Sequence, residues 1–144
     1  MKVLKMFFVV SMTLLLVSSA AVAGDFDWAR DFNIQAEVDP SGFRARLATR
    51  FKIGDAHINM VLNNVENPSD AYMVFRFGEM SNQPTENVIE KYKSGKGQGW
   101  GAIAKSLGIK PGSKEFHALK RGHDLYDEKP KGKSKVKGKG KGKK

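Results

Sequence analysis

Cysteine is absent from this 144-residue chain, and histidine occurs only three times. The missing thiol excludes disulfide bridges, covalent haem, thiolate metal sites and a lipid-modified cysteine. A metal site gathered from His117, His123, Asp124 and Asp127 matches no tight ligand spacing such as H-x-x-x-H. No serine lies in a nucleophile elbow. The sequence therefore predicts a protein that is not an enzyme and that uses no metal or other cofactor.

Long apolar runs are scarce as well, and the only one covers residues 6–17. It is too short to span a bilayer, which takes about 20 residues. It follows Lys2 and Lys5 and precedes Ala21-Val22-Ala23, which is the order of a secretory signal peptide. We expect residues 1–23 to be a signal that is removed and the protein to be exported, to the periplasm or outside the cell.

Acidic residues are missing from residues 129–144, where nine of sixteen residues are lysine. Most of the net charge of +10 comes from this segment, because residues 24–128 hold fourteen basic and fifteen acidic side chains. A segment of Lys, Gly, Ser and Pro cannot bury enough apolar surface to fold, so we expect it to be disordered. It is either a solubilising appendage or, as we prefer, an arm that binds an anionic polymer or surface, such as cell-envelope polysaccharide, lipopolysaccharide or nucleic acid. Its binding residues would be Lys129, Lys131, Lys133, Lys135, Lys137, Lys139, Lys141, Lys143 and Lys144.

Alternation of apolar and polar residues between Asp31 and Ile53 predicts a β-hairpin, with the turn at Asp39-Pro40-Ser41-Gly42. Pairing across that turn would place Glu37 opposite Arg44 and Asp31 opposite Arg50, and opposite charges support the register. A second interpretation is a row of ligand contacts formed by Arg44, Arg46 and Arg50.

Helical periodicity and caps follow the predicted hairpin. Helices are predicted from Asp55, from Asn67-Pro68 to Met80 and from Pro84 to Gly95. A buried strand over Tyr72 to Phe77 is the alternative to the second of them. Two more helices are predicted, one over residues 100–107 with Gly108 at its left-handed cap, and one from the cap Ser113 to about Arg121. The predicted fold is therefore α+β, a single domain over residues 24–128 with a hairpin followed by four or five short helices.

The glycine-rich stretch GKGQGWGAIAKSLGIKPGS, residues 95–113, fits three motifs in part. A dinucleotide fingerprint needs a preceding strand, which is not predicted here, and a phosphate-binding loop needs glycine where Ala104 stands. The helix-turn-helix interpretation fits better as architecture, although Lys114 occupies a position that usually holds a buried aliphatic residue. It leaves open an alternative function, nucleic-acid binding by this helical pair together with the basic segment. Trp100 is expected to be a core anchor, with ligand stacking as the second interpretation.

The run GWGAIAKSLGIKPGSKEFHALKRG, together with DAYMVFRFGEMSNQP upstream, resembles a pattern found in small exported bacterial proteins of uncharacterised function. The resemblance covers most of residues 24–128. It implies a shared fold and export, and it brings no activity and no site residues with it.

Overall fold

The structure is a computed structural model that describes residues 26–126. The predicted signal peptide and the lysine-rich segment lie outside these residues. The described part is entirely helical, and none of its helices is long and apolar enough to cross a membrane. Its seven helices are α1 (Trp28–Val38), α2 (Pro40–Phe51), α3 (Asp55–Leu62), α4 (Pro68–Ser81), α5 (Thr85–Ser94), α6 (Trp100–Ser106) and α7 (Lys114–Arg121).

The predicted hairpin, and with it the α+β class, is wrong, because residues 31–53 form most of α1, all of α2 and the start of the following loop. In α1, Phe32 and Ala36 lie four residues apart and are buried, whereas Ile34 is 52% exposed and Val38 is 81% exposed. A spacing of four residues fits a strand, whose side chains alternate every two residues, and also a helix, whose turn takes about 3.6 residues. Apolar and polar residues do alternate in the sequence, but only every second apolar residue, such as Phe32 and Ala36, faces the core.

The residues assigned to a hairpin turn instead start a helix. The Asp39 carboxylate accepts a hydrogen bond from the Gly42 amide (2.9 Å), and Pro40 is the first residue of α2. Asp at the N-cap followed by Pro at the first helical position is a common helix start, because proline has no amide hydrogen to leave unpaired. A Cβ at Gly42 would overlap an oxygen of the Asp39 carboxylate, so a larger residue here would displace the capping side chain.

Helix α4 is the centre of the domain and packs against α1, α3 and α5. Because neighbours cover it on several sides, it is apolar over most of its circumference rather than along one stripe. Its buried side chains include a run of five consecutive residues, Ala71, Tyr72, Met73, Val74 and Phe75, followed by Phe77.

Several local predictions are confirmed at helix ends. Asp70 accepts a hydrogen bond from the Asn67 amide at the start of α4 (3.2 Å), and Ser113 accepts one from the Phe116 amide at the start of α7 (3.2 Å). Gly108 has φ = +77° beyond the end of α6, the left-handed geometry that favours glycine. The loop from α6 to α7 runs over residues 107–113, which is longer than the three or four residues of a helix-turn-helix turn.

Candidate functional site

The three arginines proposed as ligand contacts all lie on α2, but their predicted cross-strand partners are wrong. Arg44 donates to the side chain of Asn59 (2.7 Å) and lies 3.4 Å from a carboxylate oxygen of Asp55, both on α3. The Arg46 guanidinium lies 5.3 Å from the centre of the Tyr126 ring. In a helix these side chains point to neighbouring helices and to the segment after α7. In a hairpin, Arg44 and Arg50 would have faced Glu37 and Asp31. Their role as ligand contacts remains a prediction.

Arg50 is the centre of a hydrogen-bonded cluster that joins α2, α4 and the segment after α7. It donates two bonds to the Glu79 carboxylate (2.9 and 3.2 Å) and one to Asp124 (2.8 Å). Arg76 donates to the same Glu79 carboxylate (2.7 Å), and the Tyr72 hydroxyl donates to Asp124 (2.6 Å). The two-bond contact between Arg50 and Glu79 has the planar fork geometry that makes such pairs specific.

Burial and hydrogen bonding shift the pKa values in this cluster in opposite directions. Burial raises the pKa of the Tyr72 phenol, and donation to Asp124 raises it further. Burial alone would raise the pKa of Asp124, but the hydrogen bonds from Tyr72 and Arg50, with the charges of Arg50 and Arg76, bring that pKa below its usual value. The folded protein therefore favours an ionised Asp124 beside a neutral Tyr72.

Replacing Asp124 by Asn is expected to make the domain less sensitive to acid. A carboxyl group whose pKa is lowered by folding contributes stability above its unfolded pKa of about 3.9, and this contribution is lost as the pH falls through the folded value. The measurement is a series of thermal melts from pH 6 down to pH 2. The wild type should lose more melting temperature over this range than Asp124→Asn does.

The matched control is Asp31→Asn, because Asp31 is an exposed carboxylate on α1 with no ion-pair partner within residues 26–126. Its melting profile should follow the wild-type profile. If Asp124→Asn also followed the wild type at every pH, the cluster would not contribute to the acid response of the domain.

Residues 122–126 are packed onto the domain just before the lysine-rich segment begins in the sequence. Leu125 is buried, and the Tyr126 ring lies 5.2 Å from the ring of Phe32 in an edge-on contact. Asp124 adds its bonds to Tyr72 and Arg50. The described chain therefore ends at an anchored point beside α2.

Trp100 is half-buried at the start of α6, where other aromatic rings flank it. Its ring is stacked against Tyr92 at 5.4 Å and meets the edge of Phe77 at 5.1 Å. Tyr92 is held in turn by donating to the Asp70 carboxylate (3.0 Å). A ligand that stacked on Trp100 would have to compete with these contacts. Its role as a ligand contact remains a prediction.

The first part of the glycine-rich stretch, residues 95–99, connects α5 to α6, and the rest of it forms α6 and the loop that follows. A dinucleotide site would need a strand in place of α5. Ala104 is buried and Lys105 is exposed on the surface of α6, so neither contributes to a phosphate-binding loop. Within the described residues, no group of three His, Asp or Glu side chains could hold a metal ion.

Charge is distributed unevenly along the folded part. Residues 26–90 hold six basic and ten acidic side chains, whereas residues 91–121 hold eight basic and one acidic. Within the described chain, Lys96 pairs with Glu66, while Lys91, Lys105 and Lys110 are exposed and have no ion-pair partner. The helices nearest in sequence to the lysine-rich segment therefore carry the same sign of charge as that segment.

Sequence reasoning missed the α4 side of the Arg50 cluster. Tyr72, Arg76 and Glu79 recur at i, i+4 and i+7 within a mostly apolar helix, and this spacing would have placed them on one face. Asp124 gave no comparable signal, because its partner Arg50 is 74 residues away in the sequence.

No family model, curated protein or solved structure matches this chain. Its function is therefore inferred from its own residues.

Proposed function

We propose that this is an exported, non-catalytic protein that binds anionic polymers or surfaces through the lysine-rich segment 129–144. The observation that carries the proposal is the excess of positive charge in residues 91–144, which is interrupted at residues 122–128 by three acidic side chains and no lysine or arginine. Residues 91–121 hold eight basic side chains and one acidic one, and residues 129–144 add nine lysines and no acidic residue. Binding of this kind depends on counterion release and needs no precise ligand pocket.

The packing of residues 122–126 against the domain also supports the proposal. Leu125 and Asp124 hold the chain against the domain at the point where the described residues end. The lysine-rich segment begins three residues after Tyr126 in the sequence. The exposed lysines of α5 and α6 and of the loop after α6 carry the charge that would attract the same polymer.

The experiment is a titration of the protein, beginning at Gly24, with heparin, lipopolysaccharide and two duplex DNAs of equal length and different sequence. We expect binding at low salt to heparin and to both duplexes, with similar affinities for the two sequences, because phosphate contacts carry no sequence information. Absence of binding to all of these polyanions at low salt would contradict the proposal. Tight binding to only one DNA sequence would favour the alternative, recognition of nucleic acid by α6 and α7.

A further inference from the structure

A cleft of about 380 Å³ lies between α4 and the end of α7. Tyr72 and Arg76 line it from α4, and Ala118, Leu119 and Arg121 line it from α7. Its volume falls within the range of small-molecule sites, about 300–1,000 Å³. The cleft adjoins the Arg50 cluster, since Tyr72, Arg76 and Asp124 belong to both.

The charges around this cleft do not cancel. Arg50 and Arg76 share the carboxylate of Glu79, and Asp124 pairs with Arg50. Arg121 is exposed and has no ion-pair partner within residues 26–126. The lining itself holds two guanidinium groups, Arg76 and Arg121, and one carboxylate, Asp124, so one further negative charge would balance these three groups.

Arg76 also has an unused donor. Its Nη1 donates to Glu79, but its Nε is buried and has no hydrogen-bond partner among the described residues. Burial of an unpaired donor is unfavourable. Nε and Nη2 share one edge of the planar guanidinium, and the spacing of these two donors matches the two oxygens of a carboxylate.

The C-terminal end of α7 disfavours binding of an anion, because carbonyl oxygens at a helix C-terminus carry partial negative charge. Two of these carbonyls are already occupied. Ala118 accepts from the Gly122 amide (3.2 Å), and Leu119 accepts from the indole nitrogen of Trp28 (2.8 Å). With their carbonyls bonded, Ala118 and Leu119 contribute mainly apolar surface to the wall of the cleft.

We propose that the cleft binds a small monocarboxylate with a short apolar body. Arg76 and Arg121 hold the carboxylate, and Ala118 and Leu119 contact the carbon chain. Glu79 already holds Nη1 of Arg76, and Asp124 accepts from Arg50 and Tyr72, so the groups left for a ligand are Nε of Arg76 and the guanidinium of Arg121.

The test is an NMR titration of the full chain with butanoate, its neutral analogue butanamide, and inorganic phosphate. Butanoate should shift the backbone amide signals of Ala118 and Gly122 in a saturable way, and the other two probes should bind more weakly. Arg121→Gln should weaken butanoate binding by about tenfold, the loss expected for one charge-assisted contact. Arg76→Lys keeps the charge but removes the paired donors, and it should weaken binding in a protein whose melt shows that it is folded.

Lys114→Gln is the matched control, because Lys114 is an exposed cation of α7 outside the lining of the cleft. It should bind butanoate as the wild type does. The proposal is overturned if butanoate gives no saturable shifts, if butanamide binds equally well, or if Lys114→Gln loses as much affinity as Arg121→Gln.

Discussion

Ending the chain at Glu128 is expected to weaken its binding to heparin and duplex DNA by about two orders of magnitude or more at low salt. The deletion removes nine lysines and leaves residues 24–128 with fourteen basic and fifteen acidic side chains. Affinity for a polyanion comes mainly from the counterions that each contacting cation releases, so loss of the lysines removes most of the driving force. The measurement compares dissociation constants for the full and shortened chains at one low salt concentration.

Two controls separate charge from length. Replacing the nine lysines by arginine should preserve binding, and replacing them by glutamine should reduce it as much as the deletion does. All three variants should melt at nearly the wild-type temperature, because a segment with Val136 as its one aliphatic residue has little to pack into a core. Wild-type affinity in the glutamine variant would show that the segment is incidental.

Phe32→Ala is expected to destabilise the domain by about 3–5 kcal/mol, the usual range for removing a buried phenylalanine. The Phe32 ring is fully buried, and its neighbours come from α1, α2, α4 and the segment after α7. Its ring contacts are Trp28, Phe43, Tyr72, His123 and Tyr126. Since domains are stable by only about 5–15 kcal/mol, this loss should be visible as a large fall in the urea midpoint.

Ile34→Ala is the control that distinguishes a helix from a hairpin. A strand would place Ile34 on the same face as Phe32, and its truncation would then be costly as well. In α1 the Ile34 side chain is 52% exposed, so the change should alter stability by less than about 0.5 kcal/mol. Equal losses in the two variants would contradict the helical assignment of residues 28–38.

Local features of the sequence predicted the second half of the fold well. The caps at Asn67-Pro68, Gly108 and Ser113 depend on a few adjacent residues, and the structure confirms the helix boundary at each. The first half failed because residues 32, 36, 43, 47 and 51 satisfy a period of two and a helical repeat at once. Asp39-Pro40-Ser41-Gly42 then suited either a turn or a helix start. The exposure of Ile34 and Val38, which decides between them, depends on packing that a single sequence does not contain.

The site was predictable only in part, for a related reason. Arg50 was a candidate from its charge, but its partners Glu79 and Asp124 lie 29 and 74 residues away. The cleft beside them exists only when α4 and the end of α7 come together. Side chains on one helix face can be inferred from spacing, whereas contacts between distant helices require the fold.

The salt dependence of heparin binding tests the proposed function most directly. The logarithm of the association constant is measured against the logarithm of salt concentration for the full chain and for the chain ending at Glu128. We expect a steep slope for the full chain, as for duplex DNA, where each neutralised phosphate adds about 0.9 to the slope. The shortened chain should give a much shallower line. Superimposable lines for the two chains would contradict the proposal that segment 129–144 binds the polymer.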